Sequence, residues 1–292
     1  MRMIKSIKEL REALCGERNK NKTIGLVPTM GFLHEGHMSL VDRAKQTCDI
    51  VVMSIFVNPI QFGPNEDLAS YPRDLERDTA LASARGVDYL FTPSVSEMYP
   101  TVNKTTVTVS DVTESLCGAS RPGHFDGVAT VVTKLFNIVQ PAYAFFGMKD
   151  AQQVAIIMQM VDDLNMPVTI VPCPIVREKD GLALSSRNVY LNEEQRRQAL
   201  VLSRAINEAK DAYAGGEKSA EALKELIVSV ISHSPLADID YVEIRNYPSL
   251  TEAAIISGQE VLIALAVRFG NTRLIDNTVL SPVKEEAACF AQ

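Results

Sequence analysis

Two histidines stand three positions apart, His34 and His37, with Gly36 between them, directly after an apolar run that ends in the tetrapeptide Pro28-Thr29-Met30-Gly31. At the start of a helix, free backbone N–H groups and the positive end of the dipole favour a phosphate, and imidazoles there can donate to its oxygens. Gly36 lacks a side chain, so a nucleotide can lie against the backbone. Either histidine alone reads equally well as a turn cap or a core residue. The order strand, PTMG, loop, HxGH, helix is what makes the pair a candidate site.

Three further stretches carry suitable chemistry. FFGMKDAQQ (Phe145–Gln153) sets Lys149 where it can offset charge developing on a phosphate, Asp150 where it can bond a ribose hydroxyl, and Gln152 and Gln153 where their amides can meet a polar substrate. Its plain alternative is a charged loop with a helix cap. GLALSSRN (Gly181–Asn188) offers Ser185, Ser186 and the fork of Arg187 to phosphate oxygens, against the alternative of a solvated linker. SIFVNPIQF holds Asn58 and Gln61, amides able to read hydroxyls and carboxylates by direction, although Pro59, Gly63 and Pro64 also mark a turn-rich region. Arg121 and His124 are read as a loop and cap before an apolar helix, Asp78 as a solvated carboxylate and His233 as a surface residue. Neither a P-loop nor a G-x-G-x-x-G motif is present, so a nucleotide would bind by another route.

These residues need elements to aim them. Apolar runs at Thr23–Pro28, Ile50–Asn58, Val87–Thr92, Tyr143–Gly147 and Val168–Pro172 read as buried strands, with a short further strand at Thr105–Ser110. Between them, helices are expected over about Gly36–Gln46, over Pro72–Arg85 with Pro72 in its first turn, from about Val128 to Val139, and after Asp150. Alternation of this kind predicts an α/β, Rossmann-like, doubly wound parallel sheet, with ligands at the carboxyl ends of the strands. Near residue 176 the pattern changes. Helical stretches at about Asn192–Ala214 and Ser219–His233 precede strands at Ile239–Arg245, Glu260–Val267 and Thr272–Leu280, predicting a smaller C-terminal α+β domain.

The net charge of −7 argues against a nucleic-acid partner, since an indiscriminate binder would show a basic stripe. Five scattered cysteines without a C-x-x-C pair fit buried thiols in a reducing compartment, and the charged opening and short apolar runs predict neither leader nor membrane span. A cytoplasmic location is expected.

Taken in order, PTMGFLHEGH, SIFVNPIQF, RPGHFDGV, FFGMKDAQQ and LALSSRN resemble the pantoate–β-alanine ligases, also called pantothenate synthetases. The resemblance is close from about Ile24 to Leu191 and looser beyond. HxGH alone marks only a superfamily shared with nucleotidyltransferases and class I aminoacyl-tRNA synthetases. The resemblance implies condensation of (R)-pantoate with β-alanine using ATP and Mg²⁺, through a pantoyl adenylate, with release of pyrophosphate and AMP. It also implies a homodimer, with a nucleotide- and pantoate-binding domain at 1–175 and a lid and dimer domain at 176–292. By the same resemblance, Met30, Gly31, His34, His37, Gly147, Met148, Lys149, Asp150, Val176, Leu184, Ser185, Ser186 and Arg187 border ATP. Of these, Lys149, His34 and His37 are catalytic, with His37 preferred as proton donor to the departing pyrophosphate. Gln61 and Gln153 hold pantoate, and Gln61 also lies near β-alanine. The family often has an acidic residue where Met148 stands here, and its metal ligands do not transfer to named positions. A nucleotidyltransferase acting on a phosphorylated acceptor and a non-catalytic nucleotide-binding regulator are the competing readings.

Overall fold

Strands β1 (Arg2–Ile4), β2 (Ile24–Thr29), β3 (Ile50–Ile55), β4 (Tyr89–Phe91), β5 (Tyr143–Gly147) and β6 (Thr169–Cys173) form one parallel sheet in the order β1-β4-β3-β2-β5-β6. This is a computed structural model, and it describes residues 1–64 and 66–282; Cys289 lies outside them. Helices α1 (Ile7–Arg18), α2 (Glu35–Thr47), α3 (Leu75–Ala84), α4 (Val95–Met98), α5 (Leu116–Ser120), α6 (His124–Val139) and α7 (Ala151–Asp163) make the connections.

Successive strand residues point to opposite faces, so a sheet covered on both sides needs nearly unbroken apolar strands. In β2 and β3, Leu26 and Val52 pack with α1, α6 and α7, whereas Val27, Val51 and Met53 pack with α2 and α3. Helix α6 buries Val128, Val132, Leu135, Phe136 and Val139. Each such side chain contributes about 1.5–3 kcal/mol relative to exposure. The winding reverses between β2 and β5, and the crevice beyond their carboxyl ends is where an open α/β sheet binds ligands.

The remaining elements are α8 (Glu193–Ala199), α9 (Val201–Ala214), α10 (Ala220–Ser232), β7 (Ala237–Asn246), β8 (Val261–Phe269) and β9 (Thr272–Leu280). The three strands form an antiparallel sheet in sequence order. With α9 and α10 they enclose a separate apolar core that includes Leu202, Ile206, Leu223, Ile227, Ile263 and Leu265.

Several expectations need correction. Thr105–Ser110 is not a strand: Val107 N–H bonds the Thr130 hydroxyl of α6 at 3.0 Å, so its alternating pattern reflects an extended segment laid on a helix. Pro72 lies outside α3, which is capped by Asp74 accepting from Arg77 N–H at 3.0 Å. The stretch expected as one helix over Asn192–Ala214 is two, joined at Leu200. Strand β1 and helix α1 escaped the sequence reading because α1 buries only Leu10 and Leu14 in a charged segment. Cys15 is exposed, whereas Cys48, Cys117 and Cys173 are buried.

Candidate active site

The first strand–helix junction is built around His34. It is the N-cap of α2, and its Nδ1 accepts from Gly36 N–H at 3.1 Å, while His37 Nδ1 accepts from His34 N–H at 3.3 Å. Because both Nδ1 atoms accept, each neutral ring carries its proton on Nε2. The rings lie 4.1 Å apart between centroids. Burial and the Lys149 charge lower the pKa of His34 to about 4, with Arg77 adding to the effect. Burial, then His34 and Lys149, hold His37 well below its ordinary value. The pair is therefore neutral near pH 7 and offers two Nε2–H donors. Gly36 has a nearer reason to be glycine than nucleotide approach: a β-carbon built there would sit 2.8 Å from His34 Cε1.

The loop before α2 is fixed from a distance. Asp78 is 1% exposed, and its carboxylate accepts from Phe32 N–H and Leu33 N–H, both at 2.7 Å. The expectation of a solvated carboxylate fails because α3 turns Asp78 inward to satisfy two loop amides. Burial raises its pKa, against the pull of those amides and Arg77. Gly31 sits at φ +88°, and a β-carbon there would lie 3.0 Å from Asp78 Oδ2. A side chain at that position would be strained and would press on the carboxylate.

Lys149 follows β5 in a short 3₁₀ turn, Met148–Asp150. Its ammonium has no hydrogen-bond or ion-pair partner among the described residues, and burial lowers its pKa against the pull of Asp150. The peptides beside it are held from the other sheet: Asn277 of β9, 5% exposed, donates its Nδ2 to Met148 O and Lys149 O, both at 2.9 Å. Met148 faces Tyr247, whose hydroxyl lies 3.6 Å from Sδ. Asp150 caps α7 by accepting from Gln153 N–H at 3.1 Å. Gln152 is not available to a substrate. It is buried and its amide is consumed by Val112 O, Ser115 O and Cys117 N–H.

The segment after β6 turns back on itself through a bridge between Arg177 and Ala183, with Leu184 N–H on Val176 O at 3.0 Å. Arg177 forms a fork with Asp276 of β9, at 2.6 and 2.8 Å. This delivers Leu184 to within 3.8 Å of a β-carbon built on Gly36, and Ser186 Oγ donates to Phe32 O at 3.4 Å. Ser185 caps the next turn by accepting from Arg187 N–H at 3.3 Å. Both arms of the Arg187 fork engage Asp67 at 2.9 Å. Val176 lines a separate cavity of about 310 Å³ with Ser39, Arg43 and Pro174.

Beside the histidines is a cavity of about 170 Å³, with Met30, His37, Gln61 and Gln153 as polar or polarisable lining and Val131, Val132, Leu135 and Phe146 as apolar wall. The amide orientation of Gln61 follows from its neighbours. Tyr99 OH donates to Asn58 Oδ1 at 2.9 Å, and Asn58 Nδ2 donates to Gly127 O and to Gln61 Oε1, each at 3.0 Å. A carbonyl only accepts, so the Gln61 Nε2–H₂ group is left facing Met30 and the cavity. The Gln153 side chain has no partner among the described residues. Thus the HxGH pair, Lys149 and the 184–187 loop meet at one sheet edge, and Gln61 and Gln153 share the adjoining cavity. Asn58, expected as a pocket amide, instead sets the orientation of Gln61; Asp78 and His124, expected as a solvated carboxylate and a cap, are buried contributors, and Asn277 is the one that local sequence context did not single out. No group of three or more His, Cys, Asp or Glu side chains among the described residues is arranged to hold a metal, and no helix there is long and apolar enough to cross a membrane.

Comparison with known proteins places the chain in a family. The family model described as pantoate-beta-alanine ligase matches residues 2–279. Pantothenate synthetases of Acetivibrio thermocellus and Pelotomaculum thermopropionicum are 57% and 58% identical over 280 residues, 96% of this chain and 99% of each relative. The crystal structure of a pantothenate synthetase from Thermus thermophilus superposes with a TM-score of 0.89 at 46% identity, covering 95% of this chain and 99% of that one. A Francisella tularensis pantoate-beta-alanine ligase, complexed with beta-gamma ATP and beta-alanine, does so at 0.77 and 35% identity, over 96% and 97% of the two chains. By whole-chain match in both sequence and fold, the protein is an enzyme of the pantoate–beta-alanine ligase family.

Proposed function

We propose that the chain condenses (R)-pantoate with β-alanine at the expense of ATP, through a pantoyl adenylate. The observation that carries this reading is the meeting of the neutral HxGH pair, Lys149 and the 184–187 loop beside a cavity with one apolar wall and two amides. A branched hydroxy acid suits that cavity. Its methyl groups match the α6 wall of Val131, Val132 and Leu135, and its oxygens match the Nε2–H₂ group of Gln61 and the amide of Gln153.

In the first step a pantoate carboxylate oxygen attacks the α-phosphorus of ATP, and the bond to pyrophosphate breaks. Such a displacement needs positioning and charge neutralisation more than covalent help. Lys149 neutralises the reacting phosphate, and the two Nε2–H groups donate to phosphate oxygens. The triphosphate's negative charge raises the pKa of His37 from its depressed value, so that it can pass a proton to the leaving pyrophosphate. Met30, Gly31 and Gly147–Asp150 border the nucleotide, Val176 packs on the adenine, and Leu184–Arg187 close over the phosphates once Arg187 exchanges Asp67 for them. In the second step the neutral amine of β-alanine, near Gln61, attacks the acyl carbon and AMP departs. Mg²⁺ would enter with the nucleotide, held by its phosphates and water, and would offset phosphate charge there.

Residues 1–175 act in this scheme as the nucleotide- and pantoate-binding domain, and 176–292 as the covering and dimer-forming domain of a cytoplasmic homodimer. The four free cysteines among the described residues support a reducing compartment. The test is to supply ATP, pantoate and β-alanine and to follow pyrophosphate, AMP and pantothenate. All three products are expected. Nucleotidyl transfer without pantothenate, or no turnover, would replace this reading with a nucleotidyltransferase or a regulator.

A further inference from the structure

The sequence suggests only a cap for His124, yet this side chain is 6% exposed and hydrogen-bonded at both ring nitrogens. Its Nε2 lies 2.9 Å from Arg121 Nη1 and its Nδ1 lies 2.8 Å from Gln61 O. A guanidinium only donates and a carbonyl only accepts, so Nε2 accepts and the proton sits on Nδ1. That is the opposite tautomer to His34 and His37. Arg121 is held in turn by a two-armed bond to Glu66, at 2.7 and 2.6 Å. Burial and the Arg121 charge lower the pKa of His124, which keeps the ring neutral and preserves its acceptor.

The bond reaches the one residue whose amide faces the acid cavity from the short turn Pro59–Gln61. The Asn58 side chain sets which way that amide faces and Asn58 O accepts from Gln61 N–H at 3.5 Å, which leaves the Gln61 carbonyl to His124. On the other side the turn rests on α6: a β-carbon built at Gly127 would lie 2.5 Å from Gln61 Cα and 2.6 Å from Ile60 O. His124 and Gly127 therefore hold Gln61 from its two sides, His124 by attraction at its carbonyl and Gly127 by close approach at its Cα and the preceding peptide.

We propose that His124 is a positioning residue for acid binding: its Nδ1–H, aimed by the Glu66–Arg121 pair, grips the Gln61 carbonyl and so fixes the turn that points the Gln61 amide into the cavity. This rests on the reading of Gln61 as an acid-binding residue. Losing the grip weakens binding of the acid in preference to binding of ATP, because the turn lies on the cavity side and not among the phosphate contacts.

The test compares His124→Ala, His124→Asn and Gln61→Ala with the parent enzyme in steady state, with thermal midpoints recorded for each. An asparagine amide nitrogen falls where Nδ1 was and can still donate. Expected are a rise of about tenfold or more in KM for pantoate in His124→Ala, consistent with loss of about 1.4 kcal/mol of alignment, an unchanged KM for ATP, and substantial recovery in His124→Asn. If Gln61→Ala leaves the pantoate KM untouched, the reading of Gln61 falls and the grip with it. If Gln61→Ala raises it and His124→Ala does not, the grip alone is overturned. Should His124→Ala not fold, Arg121→Met is expected to raise the pantoate KM in the same selective way, and an equal effect on ATP would refute the proposal. The chain has four histidines, so ¹⁵N imidazole spectra can be assigned. His124 should appear as the Nδ1–H tautomer and His34 and His37 as Nε2–H; an Nε2–H signature for His124 would overturn the proposal outright.

Discussion

Replacing His34 by asparagine separates its two tasks, capping α2 and carrying a titratable ring. Asparagine is among the best N-caps, so its oxygen can accept from Gly36 N–H where Nδ1 does now, at 3.1 Å. What disappears is the titration. In the folded protein burial and Lys149 depress the pKa of His34 to about 4, against an ordinary value of 6.5. The unfolded chain therefore takes up this proton first as pH falls. Stability tied to the neutral ring is fully present above pH 6.5 and is lost as pH drops towards the folded pKa. Linkage gives a loss of about 2 kcal/mol at pH 5 and about 3 kcal/mol at pH 4, with almost none at pH 7. Denaturant unfolding of parent and His34→Asn at these three pH values measures it: the parent should weaken relative to the variant by those amounts. Parallel stability curves would show that the ring is not held in a cation-excluding environment, and the lowering of the His34 pKa by burial and Lys149 would be refuted. At pH 7 the variant should be nearly as stable as the parent yet turn over more slowly, since asparagine does not reproduce the Nε2–H donor.

Lys149→Ala should slow adenylate formation by about two orders of magnitude or more, the scale of losing a key electrostatic group; single-turnover pyrophosphate release at an unchanged rate would remove the lysine from the mechanism. Asn277→Ala forfeits two hydrogen bonds of 2.9 Å, costing about 2 kcal/mol at about 1 kcal/mol each, and should lower kcat more than it raises KM for pantoate. Urea unfolding with turnover measurements checks both halves. Gly127→Ala forces a β-carbon against Gln61 and Ile60, and a cost of about 1–3 kcal/mol is expected with weaker pantoate binding; a variant matching the parent in midpoint and KM would show that the turn can yield.

The parts of the site legible in the sequence are those whose chemistry is local. His34, Gly36 and His37 act within one helical turn, and Asp150 caps the helix it precedes. Strands β2–β6 of the larger sheet were legible because burial on both faces demands unbroken apolar runs, as in β3, whereas the three-residue edge strand β1 carries no such run. What stayed hidden depends on partners far along the chain. Nothing near Asp78 announces that its acceptors will be used 45 and 46 positions earlier, by Leu33 and Phe32. Gln152 has the same composition cue as Gln153, yet one is turned into the core and the other into the cavity. Thr105–Ser110 shows the converse: a strand-like alternation arises wherever an extended chain lies on an apolar helix, with or without a neighbouring strand.

The side chain of Asn277 fastens the peptides around Lys149 to the smaller sheet, and the Arg177–Asp276 fork adds a second fastening from β9 to the returning segment. A swing of the smaller sheet would either break the two Asn277 bonds or carry the Lys149 peptide along with it. The stretch around Ser185–Arg187 is fastened to the rest of the site by the Arg187–Asp67 pair and the Ser186–Phe32 bond, and the proposed closure over phosphates requires those contacts to be exchanged. Under the proposed mechanism, enclosing the nucleotide asks for an exchange of partners at Arg187 whatever the two halves do.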